Sequence, residues 1–120
     1  MSKPRLVNLI VCGDLSIGRV LTLTDVRRRW RRPPPDFWVV ADIDNPTGQP
    51  FSWALQLTHR QRLILDTPET LEIDTSSQII VPQHIELAEA EPRIYQLHWL
   101  FDDQTAGKIT LDFGHPEALP

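Results

Sequence analysis

Cysteine occurs once in these 120 residues, at Cys12. No intrachain disulfide can form, and a zinc cage built from several thiolates is excluded. A reducing, cytoplasmic compartment is the simplest setting for such a chain. Long hydrophobic runs are also missing. The apolar stretch Leu6–Cys12 contains Asn8 and falls far short of the roughly 20 residues that a membrane helix needs. Leu9-Ile10-Val11-Cys12 has the outline of a lipoprotein cleavage box, but Val11 stands where a small residue is expected and the apolar stretch before it is too short for a signal peptide. No membrane partner is expected.

Glycine is scarce, at five residues. Gly13-Asp14-Leu15-Ser16-Ile17-Gly18 has the outline of a phosphate loop, but Arg19-Val20 replaces the lysine and hydroxyl residue that would hold phosphate and magnesium. No helical pattern follows it, so the segment is expected to be a hairpin turn and nucleotide binding by this route is rejected. Gly-x-Ser-x-Gly is absent, which removes the nucleophile elbow of a serine hydrolase. His59, His84, His98 and His115 are scattered without metal-ligand spacing. His84-Ile85-Glu86 could orient a base on one strand face, but no nucleophile accompanies it. The chain is therefore read as non-enzymatic, with no cofactor and no metal.

What the sequence does have is alternation of period two. Phe51, Trp53, Leu55 and Leu57 alternate with Ser52, Ala54, Gln56 and Thr58; Tyr95, Leu97, Trp99 and Phe101 do the same against Gln96 and His98. This is the mark of half-buried strands. Further strands are expected at Leu6–Cys12, Val20–Thr24, Phe37–Ile43, Leu63–Leu65, Ile79–Val81, Ile85–Leu87 and Ile109–Phe113. Turn chemistry at Cys12-Gly13-Asp14, Asp44–Gly48, Asp66-Thr67-Pro68 and Asp102–Gly107 separates them. Trp38, Trp53 and Trp99 are assigned to core packing, His98 to a satisfied position on a sheet, and Cys12 to a buried thiol. The expected fold is a single all-β sandwich over residues 1–120, with about eight mostly antiparallel strands.

One segment stands apart. Arg27-Arg28-Arg29-Trp30-Arg31-Arg32 runs directly into Pro33-Pro34-Pro35, while the chain as a whole carries net charge −4. Residues 1–35 hold eight basic and two acidic side chains (+6); residues 36–120 hold four and fourteen (−10). Five guanidiniums this close repel one another, so the loop is either solvated or meets an anionic partner. Arginine forks bind carboxylates and phosphates alike, and Trp30 could fill a partner's pocket or stack on a base. Alternatively, Trp30 folds back onto the sheet and the arginines face water. The acidity elsewhere favours a protein partner over nucleic acid. The leading expectation is an interaction module whose Arg27–Pro35 loop engages an acidic protein surface, which could be another copy of the chain.

Two alternatives are carried. In the first, a nucleic-acid accessory protein, the same arginines contact phosphates; five such contacts would give a log–log salt slope near about −4. In the second, the pairs Asp42/Asp44 and Asp102/Asp103 gather around Ca²⁺.

Several features together resemble a family of small bacterial β-sandwich proteins of unknown function. They begin with the opening strand and turn Leu9-Ile10-Val11-Cys12-Gly13-Asp14 and the glycine-led Gly18-Arg19-Val20-Leu21-Thr22-Leu23. Pro35-Asp36-Phe37-Trp38-Val39-Val40 and Asn45-Pro46-Thr47-Gly48 follow. Ile94-Tyr95-Gln96-Leu97, Asp102-Asp103 and Gly107-Lys108-Ile109 complete the set. The resemblance covers most of the chain and implies an immunoglobulin-like or C2-like sandwich with no activity to carry over. The arginine cluster departs from it.

Overall fold

The alternating segments become strands in the computed structural model, which describes residues 3–87, 91 and 93–114. In chain order the strands are β1 (Arg5–Ile17), β2 (Leu21–Val26), β3 (Arg29–Trp30), β4 (Asp36–Asp44), β5 (Phe51–His59), β6 (Arg62–Asp66), β7 (Thr70–Glu72), β8 (Gln78–Glu86), β9 (Ile94–Phe101) and β10 (Gln104–Phe113). They form two sheets. One has the order β2-β1-β4-β8; the other runs β3-β10-β9-β5-β6, with β7 also paired to β5. Pairing is antiparallel except between β3 and β10, which is parallel. No helix long and apolar enough to cross a membrane occurs among the described residues.

Alternation decides which side chains the sheets share. Leu9 and Val11 of β1, Phe37, Val39, Ala41 and Ile43 of β4, and Ile79, Val81 and Ile85 of β8 face the other sheet. There they meet Trp53, Leu55 and Leu57 of β5, Tyr95, Leu97 and Trp99 of β9, and Ile109, Leu111 and Phe113 of β10 in one continuous core. Trp53 and Trp99 stack at 4.8 Å between ring centroids. Each such residue removed from water contributes about 1.5–3 kcal/mol. The all-β expectation and the two-layer arrangement around one core therefore hold.

Ten strands stand where about eight were expected, and the inventory differs in four places, each with a physical reason. Ile79–Val81 and Ile85–Leu87 are one strand, β8, which passes through Pro82. Proline is tolerated because β8 is an edge, where a missing N–H costs no ladder bond. Gly13–Ile17 is not a turn but the continuation of β1, and the reversal comes at Gly18–Val20, where the Gly18 N–H donates to the Val20 carbonyl. Glycine at position 13 permits a close approach: a Cβ there would stand 2.8 Å from an Asp25 carboxylate oxygen. The Asp102–Gly107 break shrinks to Asp102-Asp103, both at positive φ, as a two-residue hairpin turn requires. Finally, β3 and β7 are short strands carrying no alternation that could announce them.

The register defines two ends. β1 meets β4 with Arg5 opposite Asp44 and Cys12 opposite Trp38. β9 meets β10 with Phe101 opposite Gln104 and Ile94 opposite Asp112. The loop between β2 and β4 therefore lies at the end marked by Cys12, Trp38, Ile94 and Asp112. The turns at Asn45 and Asp102-Asp103 lie at the other.

Candidate functional site

The arginine segment is held from several sides. Trp30 is 8% exposed and inserts between the sheets, 6.1 Å from the Phe37 ring and edge-on to Phe113 at 5.3 Å. Its neighbour Arg29 completes the short parallel pairing with Asp112 and Phe113. The Asp112 N–H donates to the Arg28 carbonyl at 2.8 Å, the Arg27 N–H to the Val11 carbonyl at 3.1 Å and the Leu87 N–H to the Pro35 carbonyl at 2.8 Å. Gly114, at φ +78°, packs its bare Cα against the Arg31 carbonyl, where a Cβ would collide with backbone. The loop thus bridges both sheets, with the short strand Arg29–Trp30 as its anchor.

This anchoring divides the six sequence candidates. Trp30 is turned into the core, as in the bland alternative considered for it; any contact made by the loop uses it as a tether. The Arg27 Nε donates to Asp25 Oδ1 at 2.7 Å, a second bond runs from its terminal nitrogen to the same oxygen, and its guanidinium carbon lies 5.9 Å from the Trp30 centroid. The Arg29 Nε lies 3.3 Å from the buried Asp112 carboxylate. Arg28, Arg31 and Arg32 are exposed and make no ion pair with another described residue. Two arginines of the cluster are committed internally, and three expose their forks with no ion pair to another described residue.

Sequence order hid a second feature. Arg60 in the β5–β6 turn, Arg62 at the start of β6 and Arg93 just before β9 lie at the same end as the arginine loop, by the pairings His59–Arg62 and Ile94–Asp112. Asp44, Glu72, Asp74, Asp102 and Asp103 lie at the other end, where Lys3 and Arg5 are the basic groups. The charge asymmetry read along the chain is thus reorganised in space: arginines crowd one end, where Asp25, Asp36, Glu86, Asp112 and Glu91 (paired with Arg93) offset part of their charge, and carboxylates outnumber basic groups at the other. Register, not sequence adjacency, brings Arg60, Arg62 and Arg93 there, so composition could not single them out.

The other candidates resolve into structural positions. Asp42/Asp44 and Asp102/Asp103 do lie toward one end, but no group of three or more His, Cys, Asp or Glu able to hold a metal ion occurs among the described residues. Trp38, expected in the core, is half-buried outside it, because it alternates with core-facing Phe37 and Val39; His84 packs against its ring at 4.8 Å in a tilted arrangement and lies 3.3 Å from an Asp36 oxygen and 3.8 Å from a Glu86 oxygen. Thr58 Oγ1 and His98 Nε2 are bonded at 3.0 Å, and burial, reinforced by the Lys108 charge, pushes the His98 pKa down. Cys12 is fully buried, and burial raises its thiol pKa, with Asp14 adding to the effect. His115 lies outside the described residues.

Neither a family model, nor a curated protein, nor a solved structure matches this chain.

Proposed function

We propose that this protein is a non-enzymatic interaction module whose arginine-rich end, centred on Arg28, Arg31 and Arg32, engages an acidic protein surface. One observation carries the reading: three exposed arginines without an ion pair among the described residues sit on a loop tied into the core by Trp30. A tethered loop loses little conformational entropy on binding, so more of each carboxylate contact remains as affinity. Each exposed pair contributes about 0.2–1 kcal/mol, so three together change affinity by roughly three- to a hundredfold. The burial of Trp30 favours this reading over the nucleic-acid one, because it withdraws the ring that would stack on a base.

The scaffold reading is an immunoglobulin-like arrangement in the cytoplasm. In its support, β1-β4-β8 faces β10-β9-β5-β6, and β5 carries the buried Trp53. The Tyr95 hydroxyl, at the start of β9, donates to the Glu91 carbonyl four residues upstream at 2.9 Å, the geometry of a tyrosine corner. The single buried thiol fits a reducing compartment.

The test is capture of partners by the tagged protein after nuclease treatment, beside an Arg28→Gln/Arg31→Gln/Arg32→Gln variant. A protein retained by the wild type and lost by the variant is expected. Retention of the same set by both overturns the proposal, and nucleic acid that disappears with the arginines favours the alternative.

A further inference from the structure

β1 outlives its pairing with β4. That ladder ends at Cys12 opposite Trp38, whereas pairing with β2 continues through Asp14–Thr24, Leu15–Leu23 and Ser16–Thr22 to Ile17–Leu21. Residues 13–25 therefore project as a two-stranded ribbon beyond the first sheet. An isolated two-stranded ribbon is marginal in water, and a third strand is what ordinarily stabilises one. This ribbon is also two-faced. Leu15, Ile17, Leu21 and Leu23 share one side, while Asp14, Ser16, Thr22 and Thr24 share the other. Ile17 is 72% exposed and Val20, at the tip, 73%.

The sheet edges are not equally guarded. β8 carries Pro82 in its middle, β3 has only two residues and leads into three prolines, and β6 ends at Asp66-Thr67-Pro68. β2, with the sequence Leu-Thr-Leu-Thr-Asp-Val, contains none of the proline or lysine that blocks strand addition.

We infer that β2 is a self-association edge, on which β2 of a second copy docks antiparallel about a twofold axis at Thr22. The sequence favours this occupant because it is complementary to itself in that register. Leu21 then stands opposite Leu23 of the second copy and Thr22 opposite Thr22, while Arg19 of the turn lies across from Asp25, the carboxylate that also binds its own Arg27. Shifting the axis one residue, to Leu23, would instead oppose Leu21 to Asp25 and Arg19 to Arg27, which burial and charge both disfavour. The twofold keeps both apolar faces on one side, and two four-stranded sheets become one of eight strands.

The test is sedimentation of the full chain at about 100 µM, ample for a dimer of micromolar Kd. A species of twice 13.8 kDa is expected. Thr22→Lys sets two ammonium groups face to face on the polar side and should return the protein to monomer with an unchanged far-ultraviolet spectrum. Thr22→Cys should cross-link between copies on mild oxidation, while Thr24→Cys, which faces Val20 of the second copy in this register, should not. A monomeric wild type, a dimer that survives Thr22→Lys, or equal cross-linking at both positions overturns the inference. The Arg28→Gln/Arg31→Gln/Arg32→Gln variant should dimerise like wild type, so loss of the arginine-dependent partner and loss of the dimer are read separately.

Discussion

A tryptophan among five arginines faces opposite demands, since the ring gains by leaving water and the guanidiniums lose. Trp30 resolves this by turning inward against Phe37 and Phe113 while its neighbours turn out. Trp30→Ala should therefore cost about 3–5 kcal/mol in urea unfolding. Arg28→Ala should stay within about 0.5 kcal/mol. Arg29→Ala should fall between them, at about 1–2 kcal/mol, because the Asp112 carboxylate it faces is buried while the guanidinium itself is largely exposed. Equal effects at all three positions would mean that Trp30 does not anchor the loop. His98 allows a second residue-scale prediction. Its folded pKa lies below the ordinary 6.5, so below pH 6.5 the unfolded chain binds the proton more readily. Stability then falls as pH drops through that window and is unaffected by this group above it. His98→Gln should show a shallower loss of melting temperature between about pH 7 and pH 5 than wild type.

At the scale of elements, two hairpins close through non-glycine residues at positive φ. Arg60 and Gln61 adopt φ of 49° and 67°, and Asp102 and Asp103 adopt 48° and 69°. Aspartate tolerates this region, whereas arginine and glutamine have no local hydrogen bond to offset it. Replacing Arg60-Gln61 by Asn-Gly should raise stability by about 1 kcal/mol, read as a higher urea midpoint at unchanged m-value. A decrease would show that Arg60 or Gln61 contributes contacts beyond the turn. β8 shows the same logic reversed. Pro82 falls between two expected strands, Ile79–Val81 and Ile85–Leu87, yet at an edge it does no harm and blocks further pairing. The alternation of β5 and β9 was fully legible because each strand has one face in the core. β3 and β7 were not, since two or three residues carry no period.

For the molecule as a whole, one core shared by both sheets implies one cooperative unit. Tryptophan fluorescence, reporting Trp30, Trp53 and Trp99 in that core and half-buried Trp38 outside it, and far-ultraviolet circular dichroism should give coincident thermal transitions. A separate low-temperature step confined to the dichroism would instead locate the projecting ribbon as an independent unit. The polarity of the molecule has a consequence of its own. With exposed arginines in excess at one end, binding of an acidic surface should weaken as salt rises, because exposed charges separated by more than a Debye length of about 10 Å are screened at 0.1 M.

By itself the sequence determined the fold class, because period-two alternation commits each strand's apolar side chains to one face and two such sheets must cover each other. It also determined that five arginines would gather in one loop, because adjacency in the chain is adjacency in space over six residues. Only the tertiary structure decided which of those arginines are paired internally. Asp112 reaches Arg29 through strand pairing, across a sequence separation that no local pattern encodes, whereas Asp25 stands only two residues from the Arg27 it holds. It alone placed Arg60, Arg62 and Arg93 at the same end, and it alone left β2 as an unguarded edge. Register and strand order are properties of how sheets assemble, and a one-dimensional pattern fixes the face of a side chain but not its neighbour.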